Sequence, residues 1–199
     1  MFPNRETAIK ELKIAEEMNP GRWVDHCYNA AKVAEAIAKN CDGMDSEKAF
    51  VCGLLHDIGR RTGVAQVRHI IDGYDYCMSK GWDEVARICL THSFPVKDIE
   101  KEIGKKDITK EQYQMITQYL QNIEYDDYDK LIILCDSLAL PEGICILEKR
   151  FVDTTRRYGI FPFTLERWNN TFAYKEYFEK KIGKSIYKLL PNIEACIYY

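Results

Sequence analysis

An aspartate stands inside one long apolar run, Leu131-Ile132-Ile133-Leu134-Cys135-Asp136-Ser137-Leu138-Ala139-Leu140. A helix made from this run is apolar on nearly every side, so it is expected to be buried and to take Asp136 with it. A buried carboxylate costs on the order of several kcal/mol unless a charge or a metal compensates it. The chain offers a compensator. Its four histidines, His26, His56, His69 and His92, all precede Asp136, and one is followed at once by aspartate in Leu54-Leu55-His56-Asp57-Ile58-Gly59. Neutral imidazoles and carboxylates on several apolar elements are the donor set of a metal site assembled between helices.

The rest of the pattern is helical, and the expected fold class is all-α, one domain over residues 1–199. Asn4 can cap a first helix with Ala8, Leu12 and Ala15 on one face, broken at Asn19-Pro20-Gly21. A second helix is expected from about Arg22 to Asn40, with His26 on its apolar stripe. A third, capped by Asp45 or Ser46, finishes at His56-Asp57. Gly59, Gly63 and Gly73 punctuate the stretch that carries His69, which reads as less regular. Val85, Ile88, Cys89 and His92 recur at i, i+3, i+4 and i+7, so His92 lies on a buried face. Residues 94 to 108 are polar and irregular, with the reach of a loop over a site. Thr109 and Gln112 form a capping-box pattern. The Asp136 helix ends near Pro141, and two or three aromatic-rich helices follow, broken at Gly159 to Pro162 and near Gly183. No strand is expected.

Composition narrows the function. A net charge of −3 with scattered Lys and Arg gives no surface for a nucleic-acid polymer. No segment reaches the roughly 20 apolar residues of a membrane span, and no signal-peptide core precedes the first helix. The eight cysteines contain no C-x-x-C pair and read as reduced core thiols of a cytoplasmic protein. The aromatics between Phe161 and Phe178 read as core or a homodimer surface.

His26, then His56-Asp57, then Asp136, all on expected helices, resemble the HD-domain metal-dependent phosphohydrolases over about residues 20 to 140. His56-Asp57-Ile58-Gly59 is the form of the HDIG subgroup. With His69 and His92 placed between, the order is similar to that of the bacterial symmetrical diadenosine-tetraphosphate hydrolases. Arg60 departs from a common Lys, and the tail after Pro141, a helical extension, is unlike that subgroup.

The resemblance implies a helical bundle with the metal site between helices. It implies His26, His56, Asp57, His69, His92 and Asp136 as ligands of one or two divalent transition metals (Fe, Mn, Co, Ni or Zn). Two cations against two carboxylates leave a net positive pocket that attracts phosphate and acidifies water, so two metals bridged by Asp57 are preferred. The implied activity is hydrolysis of a phosphoester or phosphoanhydride in a small nucleotide-like molecule by a metal-activated hydroxide. Asp57 and Arg60 are catalytic in that reading, and Arg60, Arg61, Ser93 and Arg150 bind substrate. Two other readings share the ligands: a di-iron oxygenase of the same fold and a catalytically silent nucleotide-binding regulatory module.

Overall fold

The computed structural model describes residues 1–198 and is all-α apart from one two-residue hairpin. The first three helices are α1 (Arg5–Met18), α2 (Trp23–Ala38) and α3 (Ser46–Leu55). They are followed by α4 (Arg68–Ser79), α5 (Asp83–Thr91), α6 (Lys110–Asn122) and α7 (Asp127–Leu138). The hairpin strands β1 (Ala139–Leu140) and β2 (Gly143–Ile144) come next, then α8 (Leu147–Tyr158), α9 (Thr164–Ile182) and the short α10 (Ala195–Tyr198).

Helix starts follow local chemistry. The Asn4 side chain accepts from the Thr7 amide at 2.8 Å, and the Asp45 carboxylate accepts from Glu47 and Lys48. Thr109 and Gln112 form the expected capping box, and Asp126 with Asp129 forms a second one at the start of α7.

Three apolar clusters fill the interior. One joins Leu12 of α1 to Cys27 of α2, Leu54 of α3 and Cys89 of α5. A second joins Val33 and Ile37 of α2 to Leu131 and Leu134 of α7, and continues into Phe151 of α8 and Phe178 of α9. The third packs Ile70 of α4, Leu90 and Phe94 against Ile116 and Leu120 of α6. Seven of the eight cysteines are buried and all are free thiols. Cys77 and Cys89 come nearest to a pair, but their sulfurs are 4.0 Å apart, twice a disulfide bond.

Three expectations change. The stretch carrying His69 is a regular helix, α4, that runs straight through Gly73. Gly73 serves close packing: a Cβ on Gly59 would collide with the His69 carbonyl and the Gly73 amide, so the 3₁₀ turn Ile58–Thr62 lies directly on α4. Residues 94 to 108 are only half a loop, since Phe94 and Ile99 are core residues. Their Asp107 carboxylate caps α4 from across the chain, accepting from the Gln66 and Arg68 amides at 2.8 Å each. Last, α7 stops at Leu138 and leads into the hairpin. Its carbonyls hold α2, because Asn29 donates to Leu140 O at 2.7 Å. Strands of two residues leave no alternation to read in a sequence.

Candidate metal centre

His26 projects from the first turn of α2, His69 from the first turn of α4, and Asp136 from the last turn of α7. His56 and His92 sit at the C-caps of α3 and α5. Asp57 follows His56 in the bridge region of backbone space (φ −102°, ψ 14°). That turn lets two adjacent side chains face one point. The negative ends of α3 and α5 therefore meet at the centre, an electrostatic setting for a cation.

The donor atoms form two groups that share Asp57: His26, His56 and Asp57, then Asp57, His69 and His92. In the first, His26 Nε2 is 3.1 Å from His56 Nε2 and 3.0 Å from Asp136 Oδ1. In the second, His69 Nε2 is 3.2 Å from His92 Nε2 and 3.1 Å from Asp57 Oδ1. The Asp57 carboxylate spans the groups, Oδ1 toward His69 and His92, Oδ2 3.9 Å from His56 Nε2.

Each ring is fixed by its other nitrogen. Nδ1 meets a backbone carbonyl in all four: Ala139 for His26 at 3.1 Å, Gly53 for His56 at 2.7 Å, Gln66 for His69 and Cys89 for His92 at 3.0 Å. A carbonyl accepts only, so Nδ1 carries the proton and Nε2 turns a lone pair inward. Six inward groups that mainly accept repel one another unless protons or cations sit among them. Asp57 Oδ1 is buried and has no hydrogen-bond partner. These donors fit divalent cations, which would satisfy that oxygen and the four nitrogens together.

Ionisation runs the same way at His56 and His69 and the opposite way at His92. Burial pushes the His56 imidazole down to about 4, and burial with the Arg60 charge pushes His69 down. Burial opposes charge on Asp57, but Arg60 and the histidines outweigh it and hold the carboxyl well below its usual range. Asp136 is lowered too, chiefly by its contact with His26 against the cost of burial. His92 moves upward, the nearby Asp57 outweighing burial. His56 and His69, held neutral beside ionised carboxylates, are ready for a cation, whereas His92 is drawn toward its protonated form by Asp57.

Asp136 departs from the sequence expectation. Its side chain is 29 % exposed, because it and Ser137 turn toward a cavity of about 110 Å³ lined also by His92, Ser93, Arg150 and Arg167. Two of the expected substrate groups, Ser93 and Arg150, are thus beside the ligands. Arg156 and Arg157, further along α8, are exposed, and Arg157 pairs with Asp153.

Arg60 is spent on the centre itself: its Nε donates to Asp57 Oδ2 at 2.5 Å. Arg61 is a correction. It turns away onto the Tyr76 ring, 3.8 Å from the centroid, and toward Met18 and Glu11, since neighbours in a 3₁₀ turn point in different directions. Asp72 contacts no histidine ligand; it accepts from Thr62 at 2.6 Å and pairs with Arg68.

Arg167 was missed from sequence. It braces the cavity by donating to Lys101 O at 2.7 Å and to the Glu102 carboxylate at 2.9 Å. Thr164, Arg167, Trp168 and Thr171 recur at i, i+3, i+4 and i+7 on α9, which was the available signal.

The family model described as HD domain matches residues 23–140, the segment that carries all six donors. The chain belongs to the HD-domain family, whose members are generally metal-dependent hydrolases. No curated protein and no solved structure matches it. Among the described residues no helix is long and apolar enough to cross a membrane.

Proposed function

We propose that the chain is a metal-dependent phosphohydrolase of the HDIG kind, acting as one domain on a phosphoester or phosphoanhydride of a small phosphorylated molecule. The observation that carries the proposal is Asp57, shared by two histidine groups with one buried oxygen left unpartnered. Divalent cations, when bound, supply Lewis acidity and bring the pKa of water toward neutrality. His26, His56, Asp57, His69, His92 and Asp136 are the residues that would hold them. Arg60 keeps the Asp57 carboxylate ionised and oriented. Arg150 and Ser93 meet phosphate oxygens where the cavity adjoins Asp136. The order of the ligands resembles that of the symmetrical dinucleotide hydrolases, and the cavity beside the ligands decides whether this chain takes a nucleotide or a smaller phosphorylated molecule.

The test is phosphate release from nucleotides, dinucleotides and sugar phosphates, with Mn, Co, Ni, Fe or Mg supplied separately. Metal-dependent release that vanishes in Asp57→Ala is expected. Protein that binds two metals, releases no phosphate and consumes dioxygen with an organic substrate overturns the proposal.

A further inference from the structure

The cavity beside the ligands is walled by a part of the chain outside the family-matched segment, and that wall carries a substrate class. His92 and Asp136 border the cavity on the metal side. Arg150, Thr154 and Thr155 of α8 close it together with Arg167 and Trp168 of α9. Its volume of about 110 Å³ is well above the roughly 10–15 Å³ that admits a single water. That suits a phosphate bearing a short alcohol. Sites for larger organic ligands run to about 300–1,000 Å³.

The lining says what the alcohol carries. Ser93, Thr154 and Thr155 make no side-chain hydrogen bond among the described residues, and Arg150 makes no ion pair there. Unfilled hydroxyls around a small cavity fit a ligand with hydroxyls of its own. The aromatic rings pack on one another. Phe151 and Trp168 stack on each other, 5.2 Å between centroids and 6° between planes, and Phe172 meets Phe151 edge-on. Among the described residues lining the cavity, Phe151 and Trp168 spend one face each on one another rather than on a base.

Resting on the phosphohydrolase reading, we infer that the substrate is a small phosphomonoester of a hydroxylated alcohol, a short polyol or sugar phosphate, and that α8 and α9 exclude nucleobases. The phosphate lies at the ligand set, Ser93 and Arg150; the alcohol hydroxyls lie on Thr154 and Thr155. Water adds its oxygen to phosphorus, the bond from phosphorus to the alcohol oxygen breaks, and one water proton goes to that oxygen. The products are the free polyol and inorganic phosphate.

The experiment compares glycerol phosphate, adenosine monophosphate, diadenosine tetraphosphate and p-nitrophenyl phosphate on the Mn-loaded full chain. Glycerol phosphate should exceed adenosine monophosphate in kcat/KM by about tenfold or more. Thr154→Val and Thr155→Val should each raise KM for glycerol phosphate by about three- to tenfold. The rise should be smaller for p-nitrophenyl phosphate, whose leaving group carries no alcohol hydroxyl. Equal or better turnover of either nucleotide overturns the inference and leaves the phosphohydrolase reading standing. With no phosphate released from any of them, that reading fails, and calorimetric titration of the same protein decides the cavity. Tighter binding of glycerol phosphate than of adenosine monophosphate then supports it, and equal or weaker binding overturns it.

Discussion

Among the described residues two carboxylates are buried, and they are treated in opposite ways. Asp129 is fully buried and every valence is filled: Arg87 Nε approaches both oxygens at 3.0 and 3.2 Å, Thr91 donates at 2.8 Å, and the Asp126 amide at 2.9 Å. Asp57 is 4 % exposed. One of its oxygens takes Arg60, and the other faces histidine nitrogens with no partner of its own. A buried acid with all its lone pairs occupied is a clasp. A buried acid with a lone pair aimed at other lone pairs is waiting for a cation. The two are linked, because the Arg87–Asp129 pair ties α5 to α7, the helices that carry His92 and Asp136.

The largest effect that would break this contrast lies at Asp57. Asp57→Asn should abolish binding of the second metal and lower turnover by at least about a thousandfold. It should also lower the stability of the metal-free fold, because it leaves the Arg60 guanidinium without its carboxylate, though by less than a fully buried pair would, since Arg60 is partly exposed. Metal content per chain and denaturation of chelator-treated protein check both halves. A variant that keeps two metals shows that Asp57 is not the shared ligand. Next comes Arg87→Ala, which strands the Asp129 charge. It should cost about 3–5 kcal/mol, seen as a lower denaturation midpoint with or without metal. Restoring most of that loss with the apolar pair Arg87→Met and Asp129→Leu would confirm the clasp; an unmoved midpoint in Arg87→Ala would dissolve it.

Much of the centre is legible in the sequence because the ligands stand on apolar stripes. His26 shares a face with Cys27 and Ala30, His92 with Val85 and Ile88, and Asp136 interrupts a run with no other polar group before Ser137. The His69 helix is not legible: Gly63 and Gly73 read as breaks, yet Gly73 lies inside α4, where the backbone of Gly59 packs too closely on the helix for a side chain at Gly59. Directions within a turn are hidden too, so Arg60 and Arg61 read alike although one meets Asp57 and the other Tyr76. Arg167 looked like one cation among many on an amphipathic helix. Its part in the cavity depends on residues 93 to 102, more than 60 positions away in the chain. The clasp at Asp129 was overlooked for the same reason, its cation lying 42 residues upstream.

The remaining effects are smaller and sharpen the contrast. His56, pushed down to about 4 by burial, is neutral in the fold at pH values where an unfolded histidine, near 6.5, takes a proton. Its contribution to the metal-free fold is therefore complete above about 6.5 and lost as pH falls toward about 4. At about 1.4 kcal/mol per unit, that is roughly 3 kcal/mol across the window. His92 is shifted upward and works in the other direction, favouring the fold at low pH and losing that contribution as pH rises through its raised value. The part played by His56 is isolated by comparing the pH slope of wild type with that of His56→Asn after chelation. The substitution should flatten the slope, and an unchanged slope would show that His56 is not held neutral.

Thr91→Val gives the smallest change and the finest test of the clasp. The hydroxyl donates to Asp129 at 2.8 Å and also contacts the Arg87 carbonyl at 3.1 Å. Valine keeps the shape and removes the donor. Asp129 retains the Arg87 guanidinium and the Asp126 amide, so its charge stays compensated and the loss should be about 1 kcal/mol, with metal content unchanged. A loss as large as that of Arg87→Ala would mean that the hydroxyl, and not the cation, makes burial of Asp129 tolerable. A neutral donor would then be enough for a buried acid in this fold, and the unpartnered oxygen of Asp57 would lose its force as a mark of a missing positive charge.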